Sequence, residues 1–190
     1  SEVALISRKS SGVQHPKVTE HIVNLFNLDQ HNELFKADHI FCCIGTTKKK
    51  TPDKHQYRLI DFGIPASAAQ LAKKNGVQSF AVISSIGADA SSSIFYSKTK
   101  GEMENGVLSA GIPNTVIVRP SFITGQRKEQ RTLEKIGIIL FKALQFILVG
   151  PFRKYRAIEA NDIAFSMIFL TNNPSEQQIF ESNELETISK

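Results

Sequence analysis

Tryptophan is absent from this sequence of 190 residues, and cysteine and methionine occur only twice each. The two cysteines are neighbours, Cys42 and Cys43. Adjacent residues of a strand point to opposite faces, so a mutual disulfide is not expected and a reducing compartment is. Two cysteines also make a poor zinc site, and no metal is expected. No apolar run reaches the ~20 residues that a membrane span needs. The longest, from Ile136 to Gly150, is interrupted by Lys142 and Gln145, and is read as a buried or lid-forming helix. Charge of one sign is not concentrated either. A net charge of +5 is spread over the chain except at Lys48-Lys49-Lys50 and Arg153-Lys154-Tyr155-Arg156, which read as solvated loops. No helix-turn-helix, zinc finger or aromatic RNA-binding pattern is present, so nucleic acid is not an expected partner. These absences together give a cytoplasmic protein with no stable membrane span as the expectation.

What is present is an ordinary globular composition, 41% hydrophobic and 22% charged, at a length that suits one domain with a sizeable core. Short β-branched runs alternate with longer segments of helical period, which predicts an α/β domain with a parallel sheet. The predicted strands are Val3 to Ser7, His21 to Leu25, His39 to Gly45, Ser79 to Ser85 and Asn114 to Pro120. Most are apolar on both faces, as strands covered by helices on either side must be. Helices are predicted over Leu59 to Gly76, with a glycine at its C-cap, and from Tyr96 to Gly111.

In open parallel sheets ligands sit beyond the carboxyl ends of the strands. Those ends read Ser7-Arg8-Lys9, Gly45-Thr46-Thr47, Ser84-Ser85 and Arg119-Pro120-Ser121, a rim of small, polar and basic residues. Gly45 lets a ribose or pyrophosphate approach the backbone, or merely makes a turn; both readings stay open. Arg8 and Lys9 stand where an acidic residue would accept the ribose 2′-hydroxyl of NAD, and a guanidinium there suits the 2′-phosphate of NADP or is a solvated arginine at a strand end; both readings stay open. Tyr96 and Lys100 are spaced to share one face of a helix, where the ammonium favours the phenolate of a group that otherwise ionises near ~10. Tyr-x-x-x-Lys arises by chance in roughly a third of chains of this length, so context has to carry the assignment.

The context is a set of motifs in fixed order: "VALISRKS", "FNLD", "FCCIGTT", "VISSIGAD", "YSKTKGEME" and "VIVRPSFITG". Their combination resembles the atypical short-chain dehydrogenase/reductases, more narrowly the Tat-interacting-protein-like NAD(P)-binding branch. The resemblance covers nearly the whole chain and implies a Rossmann-like doubly wound parallel sheet. It implies Tyr96 as catalytic acid/base, Lys100 as its activator and a ribose ligand, and Ser84 or Ser85 as the group that polarises a substrate carbonyl. Ser85 is preferred because it ends the strand. The dinucleotide, NADP (NADPH), would be held by Ser7, Arg8 and Lys9, by Asn27 and Leu28 beside adenine, by Gly45 and Thr46, and by Pro120 and Ser121 flanking the nicotinamide. Asn27 replaces the aspartate common at its position. Asp162 is expected to cap a helix.

One departure stands out. The family opens with a strand and a glycine-rich turn of the form G-x-x-G-x-x-G, and no such motif occurs here. The sequence reads as starting at the second strand, which would leave a hole between "VALIS" and "HIFCCIG" and two interior edges unpaired. Residues 1–190 are therefore expected to be one NAD(P)-binding domain lacking roughly 25 to 30 N-terminal residues, with 126–190 forming the substrate-side elements. The activity expected is that of an NADP-dependent oxidoreductase on a carbonyl or alcohol of unidentified structure. A dinucleotide-sensing regulator without turnover, and an epimerase or dehydratase with retained cofactor, are the alternatives. The resemblance also implies a possible homodimer.

Overall fold

The structure is a computed structural model that describes residues 2–125 and 148–190. The predicted Ile136 to Gly150 helix lies almost wholly outside the described residues. Strand β1 (Val3–Ser7) pairs in parallel with β2 (Val18–Ile22) in a two-stranded sheet. Strands β3 (His39–Cys42), β4 (Ser79–Ile83), β5 (Asn114–Arg119) and β8 (Ile179–Glu181) form a second, all-parallel sheet in the order β3-β4-β5-β8. A short parallel pair, β6 (Ile123–Thr124) with β7 (Ile158–Glu159), lies between them in sequence. Among the described residues β1 and β3 are not paired with each other, and each has one ladder edge without a strand partner.

The four-stranded sheet has an apolar core on each face, which explains the uninterrupted hydrophobicity of its strands. On one face Phe80, Val82 and Ile117 pack with Cys42 against α2 (Ile64–Lys74) and α3 (Phe95–Leu108). On the other, Ala81, Val116 and Val118 meet Ile163, Met167 and Leu170 of α4 (Ala160–Asn172) and Leu185 of α5 (Ser182–Ile188). Helices on both faces of a parallel sheet make this a doubly wound α/β fold. Among the described residues no helix is long and apolar enough to cross a membrane. Cys42, the last residue of β3, is buried, and Cys43, just past it, is exposed.

Several predicted boundaries are corrected. β2 spans Val18–Ile22 in place of His21 to Leu25, because the Asn24 side chain accepts from Phe26 N and starts a 3-10 helix over Leu25–Phe35. The helix placed at Leu59 begins earlier, as α1 (Lys54–Arg58), capped by Asp53, whose carboxylate accepts from Gln56 N at 2.8 Å. It runs through a π-helical turn, Leu59–Gly63, into α2. The predicted stop holds, with Gly76 at φ +73° and Val77 N donating to Ala72 O. Glu159 takes the N-cap position that Asp162 was expected to fill, and Asp162 lies in the first turn of α4, where a negative charge suits the helix dipole. The basic cluster Arg153 to Arg156 is tied down: Lys154 pairs with Glu181 at 3.1 Å, and Arg156 Nε donates to Leu148 O at 2.7 Å.

Candidate active site

The loop after β4 and the helix α3 are built as one unit. Asp89 N donates to Ser97 O at 3.0 Å, across the first turn of α3. One turn further on, a Cβ added to Gly101 would lie 2.1 Å from Ala90 N and 2.3 Å from the Asp89 carbonyl carbon. This contact gives a physical reason for "SSIGAD" and "KGE" to occur together, since the loop can lie on the helix only where a side chain is missing. Asp89 also accepts from the backbone and hydroxyl of Ser91, hydrogen bonds that hold its carboxyl below the ordinary range. Gly101→Ala should force the loop off the helix and destabilise the fold by about 3 kcal/mol, the upper end of overpacking costs. Calorimetry checks this directly, and an unchanged melting temperature would show that the loop yields freely.

The two strand-end serines have different surroundings. Ser84 Oγ donates to Glu104 Oε1 at 2.5 Å, and Arg119 closes a fork on the same carboxylate, Nε to Oε1 at 2.8 Å and a terminal nitrogen to Oε2 at 2.5 Å. Glu104 is buried on α3, and its hydrogen bonds hold the Arg119 guanidinium above its usual pKa. Ser85 is buried too, but its Oγ has no hydrogen-bond partner among the described residues. A buried hydroxyl left without a partner is costly, and a substrate oxygen is a partner that offsets the penalty.

Tyr96 and Lys100 lie one turn apart on α3, as their spacing predicts. Tyr96 is 44% exposed, whereas Lys100 is buried. The Lys100 ammonium is 3.1 Å from Oδ1 of Asp61, a residue of the π-helical turn that sequence reasoning did not single out. Asp61 Oδ2 accepts from Thr46 N at 2.7 Å. Its signal in the sequence is weak, a single aspartate in an otherwise apolar stretch, "LIDFGIP". Beyond it Tyr57 is buried with its ring edge-on to Phe95, and burial, followed by the charge of Asp61, pushes its phenol up.

The remaining predicted residues divide. Gly45 is exposed at the end of β3, and a Cβ there would meet Asp61 and Lys100 only at ordinary contact distances, so the protein's own packing does not require the glycine. Thr46 follows, its hydroxyl sharing a 2.8 Å hydrogen bond with Thr51. Arg8 and Lys9 are exposed just past β1, and Ser7 Oγ donates to Lys9 O. Asn27 is exposed at a kink in the 3-10 helix. Leu28 is 4% exposed and belongs to the core beneath α2. Pro120 is buried, its carbonyl accepting from Ile86 N. Ser121 is held by Ser182 at 2.7 Å and by the carbonyl of Arg156. Among the described residues no cluster of His, Cys, Asp or Glu could hold a metal.

No protein-family model matches the chain. Protein HTATIP2 of Rattus norvegicus is 32% identical over 148 residues, 76% of this chain and 61% of that protein. The mitochondrial protein FMP52 of Candida albicans is 39% identical over 102 residues, 54% of this chain and 44% of the relative, and that of Debaryomyces hansenii is 31% identical over 139 residues, 72% and 60%. The chain thus spans about half to three fifths of the length of these relatives. Among solved structures, the Bordetella bronchiseptica enzyme WbmH in complex with NAD+ matches with a TM-score of 0.70 at 15% identity, covering 99% of this chain and 71% of that one. The Helicobacter pylori ADP-L-glycero-D-manno-heptose-6-epimerase matches at 0.68 and 15%, covering 100% and 72%. These structural likenesses establish the Rossmann-type fold. The FMP52 relatives correct the cytoplasmic expectation, since they are named mitochondrial and point to that organelle. The two free cysteines, one buried and one exposed, carry no address.

Proposed function

This chain belongs to the atypical short-chain dehydrogenase/reductases, with HTATIP2 and FMP52 among its homologues, and from that premise we propose that it is an NADP-dependent oxidoreductase acting on a carbonyl or alcohol carbon. The observation that carries the reading is the buried hydroxyl of Ser85, unpartnered among the described residues, on the loop that is locked to the first turns of the Tyr96–Lys100 helix. The residues present would hold part of a dinucleotide, the glycine-rich turn of the family being absent from this sequence. Parallel β3, β4 and β5 bring their carboxyl ends to one rim, and Gly45 carries no side chain over the Asp61–Lys100 pair. Gly45, Thr46 and Lys100 would hold the ribose and diphosphate, Arg8 with Lys9 the 2′-phosphate, and Pro120 with Ser121 the nicotinamide end.

The bound nicotinamide supplies two-electron redox chemistry. Ser85 Oγ donates a hydrogen bond to the substrate oxygen and aligns it. The Tyr96 hydroxyl gives a proton to that oxygen in reduction and accepts one in oxidation. Lys100 supplies positive charge beside the phenol and a donor to the ribose. Ser84 holds the Glu104–Arg119 pair beneath the site and leaves Ser85 as the serine free to act.

Fluorescence titration of NADPH against NADH tests the cofactor. Tighter NADPH binding is expected, and Arg8→Ser should weaken NADPH about tenfold or more while leaving NADH nearly unchanged, since a charge-assisted contact to phosphate is lost. Equal losses for both dinucleotides would remove Arg8 from the 2′-phosphate. A second reading, a dinucleotide-sensing regulator, draws support from the Lys100 ammonium, which already has a carboxylate partner. Turnover that survives loss of the Tyr96 hydroxyl, or none in the parent, would favour it.

A further inference from the structure

We propose that Asp61 is a positioning residue of the dinucleotide site, one that ties the Lys100 ammonium to the Gly45–Thr46 turn and presents the two to the ribose as one preset unit. The inference rests on the dinucleotide reading above and adds to it a residue with no role in the motifs. Asp61 is 1% exposed and the Lys100 side chain 6%, so neither charge is stabilised by water and each depends on the other. The two carboxylate oxygens divide their work. Oδ1 takes the ammonium, while Oδ2 takes the backbone N–H of Thr46. One carboxylate therefore bridges α3 to the end of β3, two elements that the chain reaches 54 residues apart, from Thr46 to Lys100.

The surroundings make the bridge specific. The position that a Gly45 Cβ would occupy is 3.5 Å from Oδ1 and 4.0 Å from the ammonium, so the turn sits directly over the pair. Tyr57, from the preceding turn of the same helix, leans its hydroxyl toward Thr46 O at 3.5 Å, the outer limit for a hydrogen bond. The π-helical turn itself places Asp61 inward between α1 and α2. Widened turns of this kind are frequent at functional sites. Without the carboxylate, Lys100 would keep its place on α3 but lose its anchor, and Thr46 N would lose its acceptor.

The test is a cycle on NADPH affinity in the full chain, comparing Asp61→Asn, Lys100→Met and the double variant. The amide is isosteric and can still accept from Thr46 N, and the double variant carries no unpaired buried charge, which guards against failure to fold. Each single change is expected to weaken NADPH about tenfold, the scale of one hydrogen bond to a charged group, and the double change about tenfold as well. Roughly hundredfold weakening in the double variant would mean that the residues act independently and would overturn the inference. So would an Asp61→Asn protein with a lower melting temperature but parental NADPH affinity, because that is the signature of a role in stability alone. A parent that binds no dinucleotide would instead sink the dinucleotide reading, and the inference with it.

Discussion

Tyr96→Phe is expected to lower turnover roughly 100- to 10,000-fold and leave NADPH affinity nearly intact. The phenol is the one group of the set that is both solvent-accessible and able to move a proton, and phenylalanine keeps its ring while removing that ability. Steady-state absorbance at the nicotinamide band, with product analysis, measures the turnover. Fluorescence titration measures the affinity. Ser85→Ala should behave alike, since its hydroxyl makes no hydrogen bond to the described protein that could account for a structural loss. A Tyr96→Phe protein as active as its parent would refute the proton-transfer role and leave the regulatory reading standing.

Glu104→Ala should destabilise the fold about as much as Gly101→Ala. It strips the acceptor from Ser84 and both acceptors from the Arg119 fork. Removing one partner of a buried pair costs about 3–5 kcal/mol, and the lower end applies here because the Arg119 side chain is 22% exposed and recovers some hydration. For a domain of this size, about 3 kcal/mol is a fall of roughly 6–12 °C in Tm. Ser84→Ala removes one hydrogen bond and should cost about 1 kcal/mol. Differential scanning calorimetry of the two variants gives the comparison, and equal small shifts would mean that the fork is only decorative.

The elements most legible in the sequence are those where local pattern and tertiary demand coincide. β5 is legible because its hydrophobicity is set by burial on both faces, β1 by its β-branched and apolar run alone although none of its residues is buried, and the stop after α2 because Gly76 takes a positive φ. The start of α1 was hidden, since "KHQYR" carries no apolar stripe and its cap, Asp53, follows a proline in a polar loop. The end of β2 was hidden for a related reason: "HIVNL" is apolar enough for a strand, but Asn24 uses its side chain to turn the backbone. At the site, Tyr96, Lys100 and the serines were visible as residue types at meaningful spacings. What each serine touches was not, because Glu104 is 20 residues from Ser84 and Arg119 is 15 from Glu104. Asp61 was invisible for the same reason. Leu28, expected beside adenine, is a buried residue of the core beneath α2, a placement that its motif did not reveal.

The π-helical turn over Leu59–Gly63 also sets the phase of everything before it. A turn of this type holds about one residue more than its α-helical equivalent. Deleting a single residue from it would let α1 and α2 join as a straight helix, with every backbone bond intact and little change in length. The residues ahead of the deletion would, however, rotate about 100° around the axis, since each residue of an α-helix turns by that angle. Tyr57 would swing out of its place against Phe95. The same segment thus has a regular register that satisfies the backbone and an irregular one that sets Tyr57 against Phe95 and Asp61 against Lys100, and only the second holds both contacts at once.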